Sequence, residues 1–313
     1  MADERAGRRP IGGRRDPGGD PGFAVPVVRG LRELAADYDA FILDLWGVVH
    51  GGVEPYPGVV DALDRLRAAG KPVALLSNAP RRRRHIVPRL ALMGLGPEHY
   101  DVVVSSGEAA REALAARDDP AHAALGRRFL FIGPRQDDDL LEGLDYGFAP
   151  DVAGADFLLA VGFYDEGRPV TDYDPLFAAA RARDLPLICV NPDLVVQRQD
   201  GTVSPCAGLL AQHYALAGGR VIYHGKPDPG VFRRCVRDLG LAEGARVLVV
   251  GDSFATDLRG ARAAGLDALW CARGIHAREL GIEPGDEPDP ARVAALCAER
   301  GERPRAAIAT LRW

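Results

Sequence analysis

Val247-Leu-Val-Val-Gly251-Asp252-Ser253-Phe-Ala-Thr256-Asp257 is the stretch that decides the fold. Its apolar run has none of the alternation of a half-buried strand, so it reads as a strand covered on both faces, as in a parallel sheet layered with helices. The run ends in Gly251-Asp252, which sets a carboxylate at the strand's carboxyl end. Asp257 follows five residues later, in the first turn of the next helix. Ligands of open parallel sheets bind at that rim.

Outward from this stretch the pattern repeats. Phe41–Leu45, Val73–Leu76, Val102–Val104, Phe129–Ile132, Phe157–Val161, Leu187–Val190, Val221–Tyr223 and Ala268–Trp270 are further short apolar runs. Helical periodicity fills the intervals. Between Pro57 and Gly70, Val59, Leu63 and Leu66 recur on one face, with Gly70 in the stop position. From Asp228 to Gly240 an N-cap Asp precedes Pro229, and Phe232, Val236 and Leu239 face inward. Strands alternating with helices predict an α/β, doubly wound parallel sheet.

The 313 residues allow two domains, and 47% apolar against 27% charged residues is the balance of a globular protein with a sizeable core. No run reaches the length of a membrane helix, and the charged N-terminus lacks the apolar segment of a signal peptide. A net charge of −5 gives no surplus for nucleic acid. Cys189, Cys206, Cys235, Cys271 and Cys297 are odd in number and widely spaced, which predicts reduced core thiols in a cytoplasmic protein. Residues 1–28, rich in Arg, Gly and Pro, are expected to be a disordered tail.

Three other groups fall at strand ends. Phe41-Ile-Leu-Asp44-Leu-Trp46-Gly47 closes a strand with Asp44, either a nucleophile or metal ligand or a turn cap. Val73-Ala-Leu-Leu-Ser77-Asn78 offers a hydroxyl and backbone N–H groups able to hold a phosphate oxygen, or a plain turn. His224-Gly225-Lys226-Pro227-Asp228-Pro229 holds one of only two lysines (the other is Lys71) between prolines, at a helix start. Such an ammonium neutralises a phosphate or carboxylate, or is simply solvated. Asp44, Asp252 and Asp257 together would repel one another unless a cation lay among them, and oxygen-only ligands suit a hard ion such as Mg²⁺.

The order Asp44 block, Ser77, Lys226, Gly251-Asp252…Asp257 resembles the four motifs of the haloacid dehalogenase (HAD) superfamily. Gly225-Lys226-Pro227-Asp228-Pro229 and Asn191-Pro192-Asp193 resemble its NagD-like subfamily IIA, over roughly residues 36 to 280. The resemblance implies a Rossmann-like core, residues 29–81 and 220–313, interrupted by an α/β cap over 82–219. It implies a Mg²⁺-dependent phosphatase of a small phosphorylated metabolite. Asp44 would be the nucleophile that forms an aspartyl-phosphate, and Ser77, Asn78 and Lys226 would hold phosphoryl oxygens. Asp44, Asp252 and the carbonyl of Trp46 would ligate Mg²⁺, with Asp257 beside them. Asn191 and Asp193 would face the substrate from the cap.

One position departs from the family. A second Asp normally stands two residues after the nucleophile as general acid and base; here that residue is Trp46, whose indole cannot shuttle a proton in this role. Loss of that help leaves a phosphatase limited to good leaving groups, one with His50 as its acid, a phospho-ligand-binding protein, or a C–P bond hydrolase. Arg81–Arg84 and His85 read as a solvated helix face or an anion attractor, Asp137–Asp139 as a polar loop or helix start, and Trp270 as core. The prolines from 281 to 305 predict a loop, followed by a short helix and an exposed end.

Overall fold

The computed structural model describes residues 24–198, 200–283 and 285–313. The fourteen strands in chain order are β1 (Val27–Val28), β2 (Ala40–Asp44), β3 (Val73–Ser77), β4 (Val102–Ser105), β5 (Arg128–Ile132), β6 (Gly147–Phe148) and β7 (Phe157–Ala160), then β8 (Leu187–Cys189), β9 (Val195–Gln197), β10 (Val203–Pro205), β11 (Val221–Tyr223), β12 (Val247–Gly251), β13 (Asp267–Cys271) and β14 (Ala306–Ile308). Seven form a parallel sheet in the order β1-β14-β13-β12-β2-β3-β4, and five form a second parallel sheet in the order β11-β8-β7-β5-β6. Strands β9 and β10 pair as an antiparallel hairpin. All nine apolar runs are strands. The residues of β2, β3 and β12 are buried throughout, as expected of central strands covered on both faces.

Apolar side chains pack on each face of the large sheet. Phe41, Leu43, Leu63 and Leu75 belong to one core; Ile42, Leu76, Phe232 and Trp270 belong to the other. Helix Val59–Ala68 buries Val59, Leu63 and Leu66. Helix Pro229–Asp238 starts where its caps predict, with Asp228 Oδ1 accepting from Gly230 N at 2.8 Å. All five cysteines are free and buried.

Both expected edges of the insertion move. Val102–Ser105 pairs with β3 in the large sheet, although it lies beyond residue 82. The second motif stops before residue 82, but the fourth strand of the sheet comes after it. Val221–Tyr223 pairs with β8 in the second sheet, although it was assigned to the core segment. The chain therefore passes to the second sheet at helix Ser106–Ala116, whose Ala110 and Leu114 pack with Phe129, and returns through the loop after Tyr223.

The ends also differ from expectation. Residues 1–23 of the expected tail lie outside the described residues, whereas Val27–Val28 pairs with β14 as an edge strand. Within the stretch expected to be loop, Pro290 begins a helix to Arg300, because Asp289 caps its first N–H groups and proline suits that first turn. The last strand, β14, is buried, and Ala309 and Leu311 after it are buried as well, where an exposed end was expected.

Candidate active site

Strand order reverses between β2 and β12. The chain runs outward from β2 through β3 to β4, and β12 lies on the other side of β2. Val250 pairs with Leu43 and Leu76 with Asp44, so Asp252, Asp44 and Ser77 emerge side by side at one rim. This is the switch-point crevice of a doubly wound sheet.

Lys226 organises the crevice. Its Nζ donates to Asp44 Oδ1 at 2.6 Å and to Asp257 Oδ1 at 2.7 Å, with all three side chains almost wholly buried. Burial alone would lower the lysine pKa, but the charges of Asp257 and Asp44 outweigh it and keep the ammonium charged. Asp44 goes the other way: burial, then the charge of Asp257, raises its carboxyl well above the usual range against the pull of Lys226. Burial and Asp257 likewise raise Asp252 to about 7. Among the described residues, Asp44, Asp252 and Asp257 each offer an oxygen within 4.8 Å of the others. The raised values of Asp44 and Asp252 reflect the cost of ionising three carboxylates against one ammonium in a buried site, a cost that a divalent, oxygen-seeking cation would offset, so the donor set fits such an ion.

Local structure places each carboxylate. After β12, residues Phe254–Leu258 form a turn of π-helix, which turns Asp257 back so that its Oδ2 accepts from Ser253 N at 3.2 Å. Asp252 is fixed by Ile275 N–H on Oδ2 at 2.8 Å, and Trp270 Nε1 donates to its carbonyl at 3.0 Å. The fully buried Trp270 is thus core, as read from the sequence, and also a brace for Asp252. Gly47 has φ +90°, and a Cβ there would come within 2.2 Å of Asp252 Oδ2, so this turn excludes any side chain.

Among the described residues, the hydrogen bonds to the Asp44 side chain fall on Oδ1, from Leu45 N–H at 2.8 Å and from Lys226. Ser77 is buried beside it, its Oγ accepting from Ala79 N at 3.1 Å. The side chain of Asn78 is not aimed at a ligand. Its Oδ1 accepts from Lys226 N at 2.8 Å, and its Nδ2 donates to Lys226 O at 3.2 Å and to Asp193 Oδ1 at 2.8 Å. The side chain of Asn78 therefore braces the lysine loop, which leaves its backbone N–H for the phosphate-binding role expected of this turn's backbone N–H groups. Asp193 reaches the rim from the second sheet through that bond, while Asn191 Oδ1 accepts from Asp193 N at 3.1 Å and shapes the turn. Gly225, at φ +108°, lets this loop pass: a Cβ would lie 2.5 Å from Asn78 Oδ1.

Trp46 is half-buried at the mouth, and its Nε1 donates to Gln197 O at 2.6 Å. His50 meets the indole edge-on, with ring centroids 5.7 Å apart. Burial, then the charge of Arg89, lowers its pKa to about 4, so at neutral pH His50 is an uncharged imidazole and a poor general acid. The arginine run keeps Arg83, Arg84 and His85 exposed, as a solvated helix face would, but part of it is also paired with acidic side chains. Arg81 bonds Asp137 at 2.6 Å, Arg84 pairs with Asp139 and Glu142, and His85 Nε2 meets Asp139 at 2.6 Å. Two stretches read separately as polar surface are one set of ion pairs between the layers. Tyr56 was missed by the sequence reading; it is half-buried, and burial with the charges of Asp252 and Asp44 raises its phenol pKa. Its only sequence signal was an aromatic ring twelve residues past the first carboxylate.

Fold and site define a class: a doubly wound α/β protein with a carboxylate–lysine cluster at the switch point. Residues 41–147 match the family model of the haloacid dehalogenase-like hydrolases, and residues 223–296 match a HAD-hydrolase-like model. A haloacid dehalogenase-like hydrolase from Brucella suis has a similar structure, with TM-score 0.76 and 32% identity over 91% of this chain and 99% of that one. The phosphoserine phosphatase of Thermus thermophilus is 35% identical over 195 residues, 59% of this chain and 73% of its own. Chronophin of Bos taurus is 28% identical over 260 residues, 80% of this chain and 86% of its own. The chain belongs to the haloacid dehalogenase-like hydrolases, on their NagD-like branch, and is a hydrolase of the phosphatase kind. No described helix is long and apolar enough to cross a membrane.

Proposed function

We propose that this protein is a Mg²⁺-dependent phosphatase of a small phosphorylated metabolite, acting through an aspartyl-phosphate on Asp44. The observation that carries the proposal is the buried Lys226 ammonium between Asp44 and Asp257, with Asp252 in the same cluster. The five-stranded sheet and its hairpin act as the cap. In this reading Asp44 uses the oxygen that Lys226 does not hold to attack phosphorus, forming a P–O bond as the bond to the leaving oxygen breaks. Lys226 and the backbone N–H groups after Ser77 stabilise charge on the transferring oxygens. Water then attacks the aspartyl-phosphate and releases inorganic phosphate.

Asp44, Asp252 and the carbonyl of Trp46 would hold the ion, with Asp257 beside it. Bound there, Mg²⁺ offsets the carboxylate charge and that of the phosphate. Asp193, tied to Asn78, faces the leaving group from the cap side. The test is a screen of phosphomonoesters with and without Mg²⁺, using Asp44→Asn as the control. Metal-dependent release of phosphate, abolished in Asp44→Asn while the fold is retained, is the expected result. Turnover that survives in Asp44→Asn overturns the mechanism.

A further inference from the structure

Among the described residues, one direct hydrogen bond joins the rim of the large sheet to the β9–β10 hairpin, Trp46 Nε1 to Gln197 O at 2.6 Å, beside the Asn78–Asp193 bond to the turn that precedes it. Trp46 stands two residues beyond the nucleophile proposed above, at the mouth of the site. We propose that Trp46 is a positioning residue that fastens this hairpin over the mouth of the site, so that closure of the cap and the shape of the leaving-group pocket depend on its indole N–H.

The ring is itself held on the large-sheet side. It lies edge-on to His50. Gly52 leaves it room, since a Cβ there would come within 2.8 Å of Trp46 Cη2, and Arg89 Nη2 holds the Gly52 carbonyl at 2.9 Å. The hairpin is anchored on the other side through Arg198, whose Nε donates to Ser204 Oγ and whose Nη2 donates to Glu166 Oε2, each at 2.8 Å. Each end of the Trp46–Gln197 bond is therefore fixed to a different layer, and the bond couples them. A carboxylate at this position could not make the contact, because a carbonyl oxygen accepts and does not donate to an ionised acid. The substitution that removes a proton-transfer group thus supplies a donor that the hairpin backbone can use.

This inference deepens the phosphatase reading, but its test is read without turnover. In the full-length wild type, the Trp46 indole N–H, identified by the loss of its NMR signal in Trp46→Phe, should exchange with solvent at least about tenfold more slowly than the exchange-competent reference tryptophan in unfolded chain. Trp46→Phe keeps the ring and removes the donor. Trypsin cleavage after Arg198 should then quicken about three- to tenfold, the range expected for one neutral hydrogen bond, while cleavage elsewhere is unchanged. An unprotected indole N–H in the wild type overturns the proposal whether or not the variant folds. So does a Trp46→Phe protein cut after Arg198 at the wild-type rate. Neither outcome bears on whether Asp44 is the nucleophile.

Discussion

Replacing Lys226 by methionine removes a charge while nearly keeping the side chain's volume. The ammonium touches two buried carboxylates at 2.6 and 2.7 Å. At an effective dielectric near 20 and a charge separation of about 4 Å, each pair is worth about 4 kcal/mol, hence about 8 kcal/mol gross for the two. The variant no longer pays to bury the ammonium, a cost of several kcal/mol, which leaves a net destabilisation of about 3–5 kcal/mol. For a chain of this size that corresponds to roughly 5–15 °C in Tm at pH 8 without metal. The loss has a pH signature. Asp44 is already harder to ionise folded than unfolded, and without Lys226 it becomes harder still. A carboxyl whose folded pKa is raised contributes stability at low pH and loses it as pH rises through the folded value, so the deficit of Lys226→Met should shrink markedly between pH 8 and pH 5. Thermal melts of both proteins across that range, in chelator, measure it. A shift below about 2 °C at pH 8, or one independent of pH, would show that Lys226 does not offset the carboxylates.

Three further outcomes are expected besides the loss of turnover in Asp44→Asn. Millimolar Mg²⁺ should raise the wild-type Tm, and Asp252→Ala should lose most of that rise, measured by differential scanning fluorimetry; equal rises in the two proteins would place the ion elsewhere. With the Trp46 N–H engaged by Gln197 and His50 uncharged, the rate should fall steeply as the leaving-group pKa increases. Comparison of aryl with alkyl phosphates tests this, and equal rates would mean that another group donates the proton. His224, 3.1 Å from His122 through their Nε2 atoms, has its pKa lowered to about 4 by burial and then by the charge of His122. A base that resists protonation when folded stabilises fully above its unfolded pKa of about 6.5 and loses that contribution as pH falls toward 4, up to about 3 kcal/mol. The stability gap between wild type and His224→Gln should therefore narrow on acidification, and a constant gap would refute the assignment.

Much of the site was legible in the linear sequence because it is built at strand ends. An apolar run buried on both faces must finish at a rim, so a carboxylate that closes such a run, as Asp44 and Asp252 do, is placed by the strand itself. Asp257 followed from its position in the turn after β12, and the helix at Pro229 from its own cap. These are local effects, set by residues a few positions apart. What the chain order could not convey are contacts between residues far apart in sequence. Asn78 reads as a polar residue after a strand, and only the loop arriving 148 residues later turns its amide into a brace for Lys226. Arg81–Arg84 and Asp137–Asp139 each read as surface until packing of the second sheet sets them side by side and pairs Arg81 with Asp137 and Arg84 with Asp139. Val102–Ser105 and Val221–Tyr223 are plain apolar strands whose sheet is chosen by their neighbours, not by their composition. Trp46 shows the division most sharply. Its sequence position says only what it is unable to do, because an indole N–H is far too weak an acid to protonate a departing alkoxide. That its N–H meets the carbonyl of Gln197, 151 residues away, was decided by the tertiary structure, since a backbone acceptor carries no mark in the sequence of the donor it will face.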